Sequence, residues 1–381
     1  MFALPNVDVE EPIETDGMAL VSLRDDRIHR LAGQHNNFAA FIDKFESEFG
    51  GRVLPSIIIW RDDAAPLFRS IEAIGGFRDA ICLSVVPYGW AETLRFGRPF
   101  NILYGSWFSV YPWMTDKNYE FVVMQSMAQL ALHLVEEIKP QSTPGVTPQE
   151  LKPNMIDRTL LEALLKRWSV RYRTEQASWE NTALFRSLNM ANFASLLPSN
   201  AQVTNQDVGR SVALWVSAFE ILVHPGQGQS GFLQVYDILD KVNWSLTECK
   251  EKIYEAHGFK AGQEKRNLPY WIYGLIYNAR NHYLHGNPIS ADTLVVAQSK
   301  RNLFEYAPIL YRMALAGFLG LNWTESEPTE PEKLEDYRKR WFYYRHYQGD
   351  MEAALATILI TKEEQAARRE GRARPLRRKQ E

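Results

Sequence analysis

Four prolines, Pro140, Pro144, Pro148 and Pro153, fall within residues 138–156. Proline fixes φ and removes a backbone donor, so neither a helix nor a central strand runs through such a stretch. Ser, Thr and Gln fill much of the space between the prolines, which reads as a linker or surface crossover. The two sides of this segment differ in pattern. Before it, short β-branched and aromatic runs alternate with helical ones. Beyond it, the apolar spacing is almost entirely helical. The expected fold class is therefore α+β. A mixed α/β domain of unknown role spans residues 1–137, and a helical domain spans 157–322. A C-terminal helix and basic tail follow over 331–381.

Within the first part, residues 1–18 are acidic and read as an irregular lead-in. Phe38, Phe41, Ile42, Phe45 and Phe49 recur at helical spacing over 36–49, and Gly50-Gly51 ends that helix. Val53 to Trp60 reads as a buried strand, and Ala80 to Val86 reads the same way. Phe100 to Trp113 reads as one or two further strands. Phe121 to Glu137 reads as a helix with Val122, Met124, Met127, Leu130 and Leu134 inward. Gly75-Gly76 is too isolated for a phosphate loop and reads as a turn.

The second part reads as a succession of helices. Asp157 to Arg173 and Asn181 to Leu197 are amphipathic. Asp207 is the expected N-cap of a helix to Val223, with Val212, Trp215, Phe219 and Leu222 on one face. The run from Gly226 to Gly231 breaks the chain before helices at Phe232–Val242 and Leu246–His257. Leu268-Pro269 opens a helix that ends at His285, with Ile272, Leu275, Ile276, Ala279 and Tyr283 inward. Asp292 is expected to cap a long helix through Leu321, with Leu303, Tyr306, Ile309, Leu310, Met313 and Phe318 in the core. Several apolar helices with short joints imply a bundle. Pro331 to Tyr347 is helical and rich in charge and aromatics. From Ala366 to Gln380 there are seven Lys/Arg and one Glu. That tail is either solvated or an RNA-contacting arm, in which Arg368, Arg369, Arg372, Arg374, Arg377 and Arg378 pair with phosphates.

The formal net charge of −3 does not by itself advertise nucleic-acid binding. Two cysteines, Cys82 and Cys249, leave no basis for a cysteine zinc site or a disulfide framework, and fit a reducing compartment. Nor is there a clustered set of carboxylates and histidines, so neither a metal nor another cofactor is expected. The first sixteen residues lack the basic and apolar regions of a signal peptide. No apolar run approaches the roughly 18 residues of a membrane span. The expected location is the cytoplasm, without membrane association.

One stretch concentrates acid–base chemistry: Tyr277-Asn278-Ala279-Arg280-Asn281-His282-Tyr283-Leu284-His285-Gly286. An arginine five residues before a histidine also occurs at Arg24/His29 and Arg30/His35, so spacing alone carries little. Context separates the third pair. Arg280 is followed by Asn281 and His285 by Gly286, at the end of an amphipathic helix. Residues 207–320 resemble a HEPN domain of the Apea-like branch. The resemblance rests on Ala213-Leu214-Trp215-Val216-Ser217-Ala218-Phe219-Glu220-Ile221-Leu222, similar to that branch's first helix with its internal acid. It rests equally on Tyr277-x-x-Arg280-Asn281-x-Tyr283-Leu284-His285-Gly286, similar to its R-x4–6-H motif.

Many HEPN proteins are metal-independent endoribonucleases that act as homodimers; others are inactive partners or scaffolds. The resemblance thus implies an RNA-cleaving toxin or antiviral defence effector, with an antitoxin or other regulatory partner. It leaves a non-catalytic dimerisation or binding scaffold as the alternative. Asn281 and His285 share one helical face, being four apart. Arg280 lies about 140° from His285 on an ideal helix, within reach of its long side chain. Arg280, Asn281 and His285 are the candidate catalytic residues, with Glu220, Tyr277, His282 and Tyr283 in support. Arg280 is also expected to pair with Glu220, because a mid-helix glutamate among apolar neighbours needs a partner. In the bland reading that pair is structural, and His285 merely ends the helix.

Overall fold

The computed structural model describes residues 2–116, 118–125, 130–197, 203–255, 265–322, 326–361 and 363–367. The fold is α+β, and it divides into two compact units. One comprises Met1–Val86 with Asn101–Ser199, the other Pro87–Phe100 with Asn200–Glu381.

The first unit opens with β1 (Phe2–Leu4), β2 (Val7–Val9), β3 (Ile13–Glu14) and β4 (Met18–Ser22), where an irregular lead-in was expected. Helices α1 (Asp26–Gln34) and α2 (Asn36–Asp43) lead to β5 (Ser56–Trp60). Four strands pair antiparallel in the order β1-β5-β4-β3, with Leu20 opposite Ile58 and Val21 opposite Ile57. Val21, Ile57, Ile28, Phe38, Phe41 and Phe45 then close one apolar core. Phe49, expected to continue the helical face, is instead 90% exposed in the turn after α2.

Three segments depart from the sequence expectation. Ala80–Val86 is the middle of a helix, α3 (Ile71–Phe96), which also absorbs Gly75-Gly76. Its residues 80–86 are buried on every face, so the period that separates helix from strand is missing from the sequence. Pro87 interrupts the bonding of the preceding turn, and there the Ser84 carbonyl accepts the Asp157 N–H at 2.8 Å. Residues 100–113 form no strand but a 3-10 turn at Gly105–Phe108. Gly105 donates to the Ser195 carbonyl at 3.0 Å, so close that a Cβ would collide with Ser195 Oγ. The described residues of Phe121–Glu137 form no α-helix, and Met127 lies outside them. Strands β6 (Met114–Thr115), β7 (Phe121–Gln125) and β8 (Leu130–Leu134) form an antiparallel sheet in sequence order, and a 3-10 turn follows. Phe and paired valines favour a pleated surface once a partner strand is present.

The proline-rich segment lies inside this unit. Its β9 (Gln149–Leu151) pairs in parallel with β2, and the Asn6 amide both donates to Thr143 and accepts from it. Helices α4 (Arg158–Arg173) and α5 (Trp179–Ala194) belong here too. Asp157 caps α4, and Trp168 donates its indole N–H to the Ala73 carbonyl at 2.7 Å.

The second unit is mainly helical. It contains α6 (Asn205–Leu222), α7 (Phe232–Asp240), α8 (Thr247–Lys250), α9 (Leu268–Leu284), α10 (Leu303–Leu319) and α11 (Pro331–Ala356). Between α8 and α9, β10 (Tyr254–Glu255) pairs with β11 (Lys265–Arg266), so the helix expected from Leu246 is one turn long. Thr204 is the N-cap of α6, and Asp207 sits at its third position, accepting the Thr204 N–H at 2.9 Å. The α6, α9 and α10 faces meet through Phe219, whose ring centroid is 5.0 Å from Tyr273 and 5.3 Å from Tyr311. The helix expected from Asp292 begins only at Leu303; Asp292 lies in a short 3-10 turn, and Lys300 takes a left-handed φ of 55° before α10. The six arginines assigned to an RNA-contacting arm, Arg368 to Arg378, lie outside the described residues. Among the described residues no helix is long and apolar enough to cross a membrane.

Candidate active site

Helix α9 is capped at both ends by its own sequence. Asn267 accepts the Tyr270 N–H at its start, with Leu268-Pro269 in the first turn. At its end, His285 is the C-cap and Gly286 follows with φ 70°. The Asn287 N–H donates to the His282 carbonyl and the Gly286 N–H to the Tyr283 carbonyl. This crossed pair of bonds needs a left-handed residue just past the C-cap, which is why glycine follows the histidine. The cap leaves the His285 side chain exposed at the last turn, with the exposed His282 three residues before it.

Arg280 points the other way, into the bundle. Its Nη2 lies 3.7 Å from Glu220 Oε2 on α6, the expected ion pair, and the two side chains are 22% and 18% exposed. Its Nη1 donates to Asn281 Oδ1 at 2.9 Å, and its guanidinium carbon sits 5.5 Å above the Tyr277 ring. The ion pair is too long for a hydrogen bond, and the buried Nε finds no acceptor among the described residues. Asn281 therefore holds the arginine, while its main-chain carbonyl receives the His285 N–H at 3.0 Å. Burial raises the Glu220 carboxyl above the usual carboxylate range, and Arg280 pulls it partway back.

Two further residues shape this site and were not singled out by motif. Tyr273 lies seven residues before Arg280, on the same helical face. Its hydroxyl is buried without a partner among the described residues. Burial first, then the Glu220 charge, holds that hydroxyl well above the ordinary tyrosine range. Gly209 on α6 receives the Tyr283 ring; a Cβ there would lie 2.9 Å from Tyr283 Cδ2. A glycine inside a predicted helix costs about 1 kcal/mol relative to alanine, a signal legible in the sequence. The site thus gathers Glu220, Tyr273, Tyr277, Arg280 and Asn281 between α6 and α9, with Tyr283 fixing the last turn. His282 and His285 lie on the solvent side. Arg280 and Asn281 touch, whereas no hydrogen bond joins either side chain to that of His285 among the described contacts.

No family model matches the chain, and neither curated proteins nor solved structures offer a match.

Proposed function

We propose that the protein is a metal-independent endoribonuclease of the HEPN type, with Arg280, Asn281 and His285 as its catalytic set. The observation that carries the reading is the end of α9. An exposed histidine stands one turn beyond a part-buried arginine whose guanidinium is oriented by Asn281. RNA cleavage by 2′-OH attack needs a base for that hydroxyl, a cation for the charge building on the phosphorane, and an acid for the leaving 5′-oxygen. His285 suits the base or the acid. Arg280, oriented by Asn281, suits the phosphorane, since a guanidinium offers forked donors to phosphate oxygens. One chain offers one such histidine. Two copies related by a two-fold axis offer base and acid together, so a homodimer through the bundle is part of the proposal. Products would be a 2′,3′-cyclic phosphate and a 5′-hydroxyl. Such an activity suits a toxin or antiviral defence effector restrained by a regulatory partner.

A second reading has its own support. The Arg280–Glu220 pair and the glycine C-cap account for both motif residues as structure. In that case the bundle is a scaffold for dimerisation or for binding RNA or protein. Labelled RNA incubated with wild type, Arg280→Ala and His285→Ala in EDTA separates the two. Cleavage that survives EDTA and vanishes in both variants supports the enzyme. A folded, dimeric wild type that cleaves no RNA leaves the scaffold.

A further inference from the structure

Helix α11 changes character along its length. From Tyr347 onward it is anchored in the bundle, and Tyr347, Met351, Ala354 and Leu355 are buried. Glu352 is fully buried and accepts from the Ser245 N–H, the Ser245 hydroxyl, the Leu246 N–H and the Gln348 amide. Asp350 takes Arg95 at 2.6 Å and lies 3.3 Å from His346 Nε2. The preceding turns are different. From Arg338 to His346 every residue but Tyr344, whose hydroxyl is buried, is exposed, so most of this segment's surface is open to solvent.

A helix exposed over most of its surface is normally coated with charged side chains of both signs. This one carries Trp341 at 42% exposure, Phe342 at 60% and Tyr343 at 41%. Arg338, Lys339 and Arg340 precede them and Arg345 follows, and no acid occurs between Asp336 and the buried Asp350. Two of those cations have exposed acidic neighbours: Arg340 reaches Asp336 at 3.1 Å and Arg338 reaches Glu327 at 3.5 Å. Exposed pairs of this kind contribute little and exchange readily for another anion. Planar groups are already layered on the surface. The Phe342 and His346 rings lie parallel within 8°, centroids 5.9 Å apart, and the Arg345 guanidinium sits 5.9 Å over Trp341.

We infer that the exposed half of α11 is a binding surface for an unpaired, single-stranded polynucleotide, with bases stacking on Trp341, Phe342 and Tyr343 and phosphates on Lys339 and Arg345. The chemistry is that of sequence-tolerant strand binding, in which π-faces take bases of any identity and cations track the backbone. A duplex hides its base faces, so it is the weaker ligand. No group on this half of α11 has to read a 2′-hydroxyl, so a deoxyribose strand serves as well as a ribose one. The inference is therefore independent of cleavage.

The test is fluorescence anisotropy of the full chain with a labelled single-stranded DNA, a single-stranded RNA and a duplex. The wild type is expected to bind both single strands more tightly than the duplex. The combined Trp341→Ala, Phe342→Ala and Tyr343→Ala variant should weaken strand binding by at least about tenfold. Lys339→Gln with Arg345→Gln should flatten the salt dependence by about 0.7 in log–log slope for each lost phosphate contact. In an Arg280→Ala, His285→Ala background the triple aromatic substitution should weaken DNA binding by the same factor as it does in the wild type. Since the substituted positions are exposed, circular dichroism and melting should match the wild type. Should the triple variant unfold, quenching of Trp341 by the strand, lost in Trp341→Phe, is the second readout. The inference fails if neither strand binds, if duplex binds as well as single strand, or if the α11 variants leave binding untouched. It also fails if they turn a dimer into a monomer without any strand having bound, because the surface would then be an interface between protein chains.

Discussion

At the end of α9, Arg280 is 22% exposed, faces the Glu220 carboxylate and holds an asparagine. On α11, Arg338 is 67% and Arg340 52% exposed, and their acidic neighbours are as open to water as they are. Both helices carry arginine, histidine and tyrosine within a few residues. Environment, not residue type, separates them. A part-buried arginine is held in one geometry by its surroundings, which suits stabilisation of charge at a fixed point. Exposed arginines beside aromatic rings suit a ligand of variable sequence and conformation.

His285 separates the two helices by the largest effect. Its side chain is exposed and its helix is closed by Gly286, so His285→Ala should leave melting unchanged. RNA cleavage should fall about 10²–10⁴-fold, the range expected when a general acid or base is removed. Strand binding by α11 should persist. An unchanged cleavage rate would remove His285 from the chemistry.

Arginine deletions sharpen the contrast in stability. Arg280→Ala leaves the Glu220 carboxylate part-buried without its cation and should cost about 1–2 kcal/mol in urea unfolding. Arg345→Ala removes an exposed guanidinium and should change stability by less than about 0.5 kcal/mol. Equal effects of the two variants would mean that Arg280 is as free as Arg345.

Periodicity conveys this second unit better than the first. Val212, Trp215, Phe219 and Leu222 on α6, and Ile272, Ile276 and Ala279 on α9, are buried as their spacing implies. Each of these helices turns one apolar stripe inward, and a stripe is what a period reveals. Ala80–Val86 carries no such mark, because its surroundings are apolar on all sides. Val122 and Met124 fit a strand's alternation as well as a helix's face; pairing with β6 and β8 decides between them, and pairing is non-local. The same division runs through the candidate site. The Arg280–Glu220 pair follows from a mid-helix acid that needs a partner. The outward turn of His285 follows from backbone capping, which the Gly286 neighbour hints at but does not fix. The packing of Tyr283 on Gly209 depends on how two helices approach, and no local pattern contains that.

Titration offers a smaller effect with a definite sign. Burial raises the Glu220 carboxyl above its ordinary value of 4.5 despite the pull of Arg280. Above that value the unfolded chain releases its proton while the folded one still holds it. Stability is thus fully present below 4.5 and declines as pH rises through the folded value. Glu220→Gln removes this decline. Relative to the wild type, the variant should gain stability between acid and neutral pH, and the gain should vanish below 4.5. Urea midpoints across that interval measure it. A difference that grows toward acid pH would mean that Arg280 dominates over burial.

Gly209→Ala should have only a small net effect on stability, because two effects of similar size oppose each other. Alanine in a helix interior is favoured over glycine by about 1 kcal/mol. The new Cβ meets Tyr283 Cδ2 at 2.9 Å, closer than packed carbons approach, and the ring must give way. Crowding of this kind typically costs about 1–3 kcal/mol, less where a half-buried ring can shift. Net stability should therefore move by under about 1 kcal/mol. Tyr283 packs the last turn of α9 against α6, one turn after Arg280 and just before His285, so its displacement reaches the site. Cleavage should fall roughly threefold, because a small misplacement of reacting groups lowers rate without lowering stability. The α11 surface, which shares no contact with Tyr283 among those described, should bind a strand as before. A melting point raised by the full propensity gain, with cleavage unchanged, would mean that the Tyr283 ring moves freely and does not position the end of α9.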